Sequence, residues 1–294
     1  MTWEKYYRPQ TAAEALNLLL ESKGNARVVA GGTDLMLQVR KRQFNPKGLV
    51  DLSRVEELRR ISENGNVLSI GSMVTHQELA ESKLIREKAR ALADAARSVG
   101  SPQIRRVGTI GGNVVNAQPA ADTTIALMAF DAQARVLTAQ GEQTRPLAEL
   151  FRGPGQSAVD PTAEIVLGFE FPSPDKLVGT AFRRLAKRQA LALPIVNVAV
   201  RVQADQSVSR FDDVRMALGP MAPVPLRAVA GEEALKGTPL AAASVEAALA
   251  ATAKEINPRD SIRGSALYKR KMVLILLKRA LMAAVTDLGG EIKE

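Results

Sequence analysis

The alternation of apolar and polar positions predicts both helices and strands along this 294-residue chain. Apolar residues recur at helical spacing between positions 82 and 99, whereas short apolar runs bounded by turn residues are typical of strands. Thr11 and Glu14 form a capping box that predicts the start of a helix. Further helices are predicted after Thr33, which is expected to cap its helix, and over residues 123–130, 241–253 and 265–284. Strands are predicted over residues 27–30, 49–52, 58–61, 67–70, 134–138, 145–147, 164–171, 181–185, 195–202 and 214–218.

Two prolines, Pro172 and Pro174, interrupt this pattern and predict a domain boundary. Beyond them, three strand candidates and two helices predict a smaller α+β unit. The length favours the same organisation, because a chain of about 300 residues exceeds one average domain and buries roughly 75% of its unfolded surface. The sequence therefore predicts at least two packed units.

Two glycine pairs, about eighty residues apart, each end a short apolar run: Gly31-Gly32 in VVAGGTD and Gly111-Gly112 in VGTIGGNVVN. Glycine has no Cβ, so consecutive backbone N–H groups can converge on an anion, and nearby Thr and Asn side chains add donors. An ordinary strand-ending turn is the alternative for either pair. Neither pair has the spacing of a P-loop or of a Rossmann turn. Together they predict a pyrophosphate held by two separated loops.

The chain has no cysteine and a single histidine, His76. The absence of cysteine excludes disulfides, Cys-ligated zinc and a protein-bound iron–sulfur cluster in this chain. One histidine makes a His-rich metal site or a Ser-His-Asp triad difficult to build. We expect His76 to be a surface or packing residue on a short helix over residues 75–80.

The net charge is +9, from 40 Lys and Arg against 31 Asp and Glu. Such a charge raises nucleic-acid binding as a hypothesis. The basic residues, however, lie in short scattered clusters without the aromatic residues that stack on bases, so we expect no nucleic-acid partner. Acidic partner subunits and an anionic dinucleotide account better for the charge. No apolar stretch reaches the roughly 20 residues of a membrane span, and MTWEKYYRPQ has no signal-peptide core; a cytoplasmic protein is expected.

Three runs of the sequence carry a family resemblance: VVAGGTDLMLQVR, SPQIRRVGTIGGNVVNAQPAADTTIALMAF and IRGSALYKRKMVLILLKRAL. They resemble the FAD-binding medium subunit of molybdenum hydroxylases, the family of xanthine dehydrogenase and aerobic carbon monoxide dehydrogenase. Order and spacing match from Trp3 to about Ala284. The resemblance implies an α+β fold, with a two-subdomain FAD-binding domain of the vanillyl-alcohol oxidase-like type over residues 1–174, divided near residue 55. A smaller α+β domain over residues 175–294 follows, with a three-stranded antiparallel sheet plus helices.

The resemblance also implies noncovalent FAD bound by both glycine motifs. The first motif matches the family at Val29, Ala30, Gly31, Gly32, Thr33 and Asp34. The second motif matches it at Thr109, Gly111, Gly112, Asn113 and Asn116. The residues of the first motif are expected to donate to the FAD phosphates and the ribityl chain, and those of the second motif to close the second side of the site.

Three positions outside the motifs match family residues near the cofactor. Asp122 matches an acid that binds the adenosine portion of FAD, and a helix N-cap is its alternative role. Val166 matches an aliphatic position near the flavin or adenine, and by itself it is a buried strand residue. Arg183 falls where some relatives place a Lys near the isoalloxazine ring. For Arg183 and the nearby Lys187, a solvated or subunit-facing charge is the alternative.

The implied function is electron transfer within a heteromeric complex, with no catalytic side chain in this chain. A large subunit would hold the molybdenum cofactor and a small subunit the two-iron iron–sulfur clusters, from which electrons reach FAD. A dimer of such heterotrimers is implied. The external acceptor stays open between NAD, a quinone, a ferredoxin-like carrier and oxygen. Unlike the flavin subunit of 4-hydroxybenzoyl-CoA reductase, this chain has no cysteines for an extra four-iron cluster. A stand-alone FAD oxidoreductase and a noncatalytic structural subunit are the alternative hypotheses.

Overall fold

The computed structural model describes residues 3–294 as a mixture of helices and strands. The helices are α1 (Ala12–Glu21), α2 (Leu35–Arg40), α3 (His76–Glu81), α4 (Lys83–Lys88), α5 (Arg90–Ser98), α6 (Pro102–Arg105), α7 (Ile110–Val115), α8 (Asp122–Ala129), α9 (Val229–Leu235), α10 (Ala242–Glu255) and α11 (Ala266–Asp287). The strands are β1 (Lys5–Tyr7), β2 (Ala26–Val29), β3 (Gly48–Asp51), β4 (Ile61–Asn64), β5 (Val67–Gly71), β6 (Gln133–Thr138), β7 (Gly141–Pro146), β8 (Phe151–Gly153), β9 (Gln156–Ser157), β10 (Ile165–Pro172), β11 (Val178–Leu185), β12 (Val196–Ala204), β13 (Phe211–Gly219) and β14 (Leu226–Arg227). The predicted α+β class is confirmed.

These elements form two compact units that alternate along the chain. The first unit contains the described residues up to 78, with residues 102–117 and 132–172. The second unit contains residues 79–101, 118–131 and 173–294. The sequence predicts contiguous domains, whereas two inner segments pack with the carboxyl-terminal half of the chain. The periodicity of the sequence does not reveal which unit a segment joins, because it indicates which face of an element is buried and not which element covers that face.

In the first unit, a parallel three-stranded sheet has the order β1-β3-β2 and packs against α1. The N–H of Glu14 donates to Thr11 Oγ1 at 3.1 Å, and Thr11 is the N-cap of α1. The capping box is therefore confirmed. Helix α1 buries Ala15, Leu16 and Leu19 in the core of this unit, which is the burial its apolar spacing predicts.

The first unit also contains a five-stranded antiparallel sheet with the order β4-β5-β10-β6-β7. Central strand β10 pairs with β5 and β6, and its Phe169 is fully buried between Ile70 and Ala134. The predicted β4 is displaced by three residues, because the buried Leu58 lies in a 3-10 turn over Glu56–Arg59. The carbonyl of Leu58 accepts from the N–H of Met73 at 2.8 Å, so this apolar residue is fixed outside the sheet.

The second unit is an antiparallel sheet with the order β11-β12-β13-β14, against which α11 packs. The fourth strand, β14, has only two residues and is too short for a period to show in the sequence. Within residues 3–294, no helix is both long enough and apolar enough to cross a membrane.

The helix predicted over residues 82–99 is broken into α4 and α5 at Ala89. Ala89 has φ −137° and ψ 53°, outside the helical region. Just beyond the break, the N–H of Ala91 donates to Thr180 Oγ1 at 3.1 Å, and both residues are buried. A tertiary hydrogen bond thus takes a donor at the start of α5, and the prediction of one continuous helix is wrong.

Candidate functional site

The first unit brings the two glycine motifs into direct contact. Gly31 lies so close to the first residue of the second motif that a Cβ built on it would overlap the carbonyl oxygen of Val107. A Cβ built on Gly108 would stand 3.7 Å from Thr33 Oγ1. The motifs, far apart in sequence, therefore form one surface.

The first motif is a tight turn between β2 and α2. Gly32 has φ +68°, a conformation that glycine adopts without the steric cost of a Cβ. Thr33 does not cap α2, which corrects the sequence prediction. The N-cap is Asp34, and its side chain makes no capping hydrogen bond. Burial raises the pKa of the Asp34 carboxyl.

Three consecutive backbone donors of this turn are free. Within residues 3–294, the N–H groups of Gly32, Thr33 and Asp34 and the hydroxyl of Thr33 make no hydrogen bond. Backbone N–H groups are strong donors that folded proteins rarely leave without a partner or solvent. Consecutive free N–H groups at a turn form a concave anion-binding nest. The first motif therefore has the donors that a pyrophosphate requires.

The second motif is a short helix, α7, and not a loop. Thr109 is its N-cap, and Thr109 Oγ1 accepts from the N–H of Gly112 at 3.1 Å. The N–H groups of Ile110, Gly111 and Asn113 also have protein acceptors. The amides of this motif are thus used by the protein itself, so any contribution to an anion has to come from side chains and from surface shape.

Two glycines of the second motif serve different purposes. A Cβ on Gly111 would stand 2.7 Å from both the Cβ and the backbone oxygen of Ser72, so Gly111 allows α7 to pack on the chain at Ser72. A Cβ on Gly112 would meet only Thr109 Oγ1, at 3.1 Å. Protein packing therefore leaves the Gly112 face open, and a ligand can approach the backbone there.

The asparagines of the second motif lie on and after α7. Asn116 is the C-cap of α7, and its Oδ1 accepts from Gln38 Nε2 of helix α2 at 3.3 Å. This hydrogen bond ties the helix that follows the first motif to the end of the second motif. Gln38 is a site residue that sequence reasoning missed, because its only signal is its position one turn after the first motif. Asn113 lies half-buried on α7.

His76 lies beside the second motif, a position that its place in the sequence did not indicate. It begins α3 with 3% of its surface exposed, and its N–H donates to the carbonyl of Gly108 at 3.0 Å. Its Nδ1 is buried without a hydrogen-bond partner. Burial and the nearby Arg105 charge lower the pKa of His76 to about 4, so the ring is neutral at physiological pH. Of the two predicted roles, packing is the one observed.

The depressed pKa of His76 predicts a stability change with pH. Between pH 6.5 and about 4, the unfolded chain binds more protons at this residue than the native chain does. Its contribution to the free energy of unfolding is present above pH 6.5 and is lost as the pH falls towards 4. We expect a smaller acid-induced loss of stability in His76→Leu, measured by urea unfolding at about pH 7 and about pH 5. Identical losses in the two proteins would contradict the buried neutral ring.

Asp122 belongs to the second unit, where its carboxylate is already engaged. Its Oδ1 accepts from Asn197 Nδ2 at 2.7 Å, and its Oδ2 lies 3.1 Å from Ser98 Oγ and 3.2 Å from an Arg184 nitrogen. Burial raises the pKa of Asp122 to about 6, against the lowering effect of Arg184 and of the two hydrogen bonds. The N-cap of α8 is Ala121, so the alternative role as a helix cap is wrong.

Val166 and Arg183 occupy strands of different units. Val166 is buried in β10 beside a bulge in its pairing with β6. Arg183 is half-buried in β11, where one guanidinium nitrogen donates to the carbonyl of Phe182 at 2.9 Å. Lys187 Nζ donates to the carbonyl of Ile262 at 2.9 Å. The FAD contacts expected of Val166, Arg183 and Asp122 stay predictions.

The donor set of the two motifs suits a phosphate group and not a metal ion. Within the described part of the chain, no three His, Cys, Asp or Glu side chains come together as metal ligands. The free N–H groups of the first motif and the open Gly112 face are instead a cradle that an added Cβ would fill.

Two family models together match nearly the whole chain. Residues 2–174 match the model described as the FAD binding domain in molybdopterin dehydrogenase. Residues 181–284 match the CO dehydrogenase flavoprotein C-terminal domain. The first match alone covers more than half of the chain and includes both glycine motifs.

Individual relatives agree with the family models. The chain is 31% identical over 291 residues to the xanthine dehydrogenase FAD-binding subunit of Escherichia coli O157:H7, covering 98% of each chain. It is 31% identical over 295 residues to the nicotinate dehydrogenase FAD-subunit of Eubacterium barkeri, covering 99% of each. Its structure matches a chain of a carbon monoxide dehydrogenase from Hydrogenophaga pseudoflava. That enzyme lacks the Mo-pyranopterin moiety of the molybdenum cofactor. That match has a TM-score of 0.91 at 30% identity and covers 97% of this chain and 98% of the other.

These matches confirm the resemblance seen in the three sequence runs. They extend over both units and include the motifs whose geometry suits a dinucleotide. The chain therefore belongs to the family of FAD-binding medium subunits of molybdenum hydroxylases and is an oxidoreductase component.

Proposed function

We propose that this chain binds FAD noncovalently on the surface formed by its two glycine motifs and transfers electrons within a heteromeric molybdenum hydroxylase. The observation that carries the proposal is the row of free N–H groups at Gly32, Thr33 and Asp34, next to the open face of Gly112. A dinucleotide has two negatively charged phosphates, and convergent backbone donors favour such an anion.

The two motifs have different tasks in this proposal. The first motif donates N–H groups of Gly32 to Asp34 and the Thr33 hydroxyl to the phosphates. The second motif donates no backbone N–H, since its amides are already used; it presents the Cβ-free surface of Gly112 and the side chain of Asn113. Gln38 and Asn116 hold the motifs at a fixed separation. Bound FAD supplies redox chemistry that protein side chains lack, and this chain binds and orients it.

The route of the electrons is the finer part of the proposal. Electrons reach FAD from two-iron clusters on a small subunit, which take them from the molybdenum cofactor of a large subunit, and they leave to an external acceptor. The relatives support this assignment because they are named as FAD-binding subunits or medium chains of dehydrogenases. The chain has no cysteine, so any thiolate-held cluster belongs to a partner.

Replacing Gly112 with valine tests the cofactor site. We expect Gly112→Val to fold with a modest loss of thermal stability, because a Cβ there meets one atom, the Thr109 hydroxyl oxygen that caps α7. Its affinity for FAD should fall by about tenfold or more, since the added methyl groups occupy the face where the cofactor approaches, at a cost of about 1.4 kcal/mol or more. The measurement is a fluorescence titration of the purified chain with FAD.

Gly153→Val is the matched control. A Cβ on Gly153 meets only the Gln156 side chain, at 3.1 Å, and the residue lies in the first unit but outside both motifs. It should bind FAD like the wild type. A folded wild-type chain that takes up no FAD would overturn the proposal, as would full affinity in Gly112→Val.

A further inference from the structure

Two loops of the second unit expose large aliphatic side chains. One loop, residues 186–195, connects β11 to β12, and the other, residues 256–265, connects α10 to α11. Ile262 is 90% exposed, Leu193 60% and Leu191 58%, and Leu267 at the start of α11 is 64% exposed. Single exposed apolar residues are ordinary, whereas a group of them on one surface typically marks an interaction site. We call these two loops and the first turn of α11 the two-loop patch.

The two loops are held together by polar contacts. Lys187 Nζ of the first loop donates to the carbonyl of Ile262 in the second loop at 2.9 Å. The backbones of Ser261 and Gly264 exchange two hydrogen bonds of 3.1 Å, which close the turn that carries Ile262. The Arg188 guanidinium donates to the carbonyl of Leu191 within its own loop. The aliphatic side chains are therefore displayed on an organised surface.

The same surface has an uncompensated positive charge. The cations of its two loops are Lys187, Arg188, Arg259 and Arg263, against the single carboxylate of Asp260. In the part of the chain that the structure describes, none of these four cations forms an ion pair.

Arg259 and Arg263 of the second loop lie close enough to Lys269, in the first turn of α11, to repel its charge. Burial and the charges of Arg263 and Arg259 lower the pKa of the neighbouring Lys269, and Asp260 only partly opposes this effect. A surface that places carboxylates opposite these cations would relieve the repulsion, and complementary charge of this kind sets partner choice and association rate.

We propose that the two-loop patch is the docking surface for a partner subunit whose face has an apolar centre ringed by Asp and Glu side chains. This proposal rests on the proposed function, in which the chain works inside a heteromeric complex. A polypeptide fits better than nucleic acid, because the exposed side chains are aliphatic and do not form an aromatic stacking platform. In such an interface, Ile262 and Leu193 are the buried anchors and the cations form the rim.

The test uses the complex purified through an affinity tag on this chain from the cells that produce it. Iron, molybdenum and FAD are measured per mole of chain for the wild type, Ile262→Glu, Leu193→Glu and Val229→Glu. Val229 is the matched control, since it is 53% exposed in the same unit but begins α9, outside the patch. We expect iron and molybdenum to fall about fivefold or more in the two patch variants, because each places a carboxylate in the apolar centre. FAD content and thermal midpoint should stay at the wild-type values.

Each other outcome has a defined meaning. Full iron and molybdenum in both patch variants would overturn the docking proposal. Loss of binding to anionic phosphatidylserine vesicles in these variants, with the metals retained, would assign the patch to a lipid surface and would also overturn it. A wild-type chain that brings down neither metal would instead refute the electron-transfer complex of the proposed function. A loss of metals in Val229→Glu equal to that in the patch variants would show that the effect is not specific to the patch.

Discussion

Gly31→Ala is expected to disrupt the first unit and to abolish FAD binding with it. The added Cβ would overlap the carbonyl oxygen of Val107, a backbone atom that cannot rotate away as a side chain does. Overpacking of this kind typically costs 1–3 kcal/mol, and a backbone clash places the expected loss in the free energy of unfolding at about 3 kcal/mol or more. Urea unfolding and FAD titration of the same variant measure both effects.

Gly65→Ala separates the clash from backbone strain. Gly65 has φ +58° and no atom within 4 Å of a built Cβ, so alanine there is strained but meets nothing. We expect a cost of about 1 kcal/mol and unchanged FAD affinity. If Gly31→Ala were as stable as Gly65→Ala, the direct packing of the two motifs would be refuted.

Asp122→Ala is expected to destabilise the second unit by about 3–5 kcal/mol near pH 7.5, the usual cost of removing one partner of a buried ion pair. The reason is Arg184, whose guanidinium is largely buried and would lose its counter-charge. Arg184 Nε already has no hydrogen-bond partner, so the site has little capacity to compensate. Chemical unfolding of the purified variant measures the loss.

Two further variants test the origin of that loss. Asp122→Asn keeps the size and an acceptor oxygen but removes the counter-charge of Arg184, so it should lose most of the stability that the alanine variant loses. The double variant Asp122→Ala, Arg184→Met removes both charges and should recover part of the stability, because the two residues are energetically coupled. If the single Asp122→Ala change left stability intact and weakened only FAD binding, the carboxylate would serve the adenosine of FAD and not the second unit.

The raised pKa of Asp122 makes the free energy of unfolding depend on pH, and the Asp122→Asn variant tests the direction of that dependence. Between pH 3.8 and about 6, the native chain binds more protons at this carboxyl than the unfolded chain does. The part of the stability that comes from protonation of Asp122 is therefore present below pH 3.8 and is lost as the pH rises through about 6. Asp122→Asn removes this fall in the free energy of unfolding with rising pH. The change expected from His76 has the opposite direction, a fall in the free energy of unfolding as the pH decreases.

Several local features could be predicted from the sequence because neighbouring residues determine them. The capping box at Thr11 and Glu14 forms as predicted, since both partners lie within one helical turn. The long helices α10 and α11 and strands β10 and β12 lie within a few residues of their predicted ranges, because each has an extended apolar period. The family resemblance also located both glycine motifs.

Other local predictions failed where a tertiary contact competes with the local pattern. The hydrogen bond from Ala91 to Thr180 helps to end one helix and begin the next, and nothing near Ala91 in sequence indicates it. The second glycine motif forms α7, and Gly111 lets this helix pack against Ser72, a residue 39 positions earlier. Asp122 looks like a helix cap in sequence, but Asn197 and Arg184 from distant strands take its carboxylate.

The sequence by itself determined the α+β class, the family and the two segments on which we propose the cofactor site. These follow from periodicity, from short motifs and from composition, all of which are local properties of the chain. Only the tertiary structure decided which feature each motif presents. The first motif has free N–H groups, the second has an open glycine face, and Gln38 and His76 lie beside them. The physical reason is that a donor is free or used according to the groups that packing brings next to it, and those groups come from distant parts of the chain.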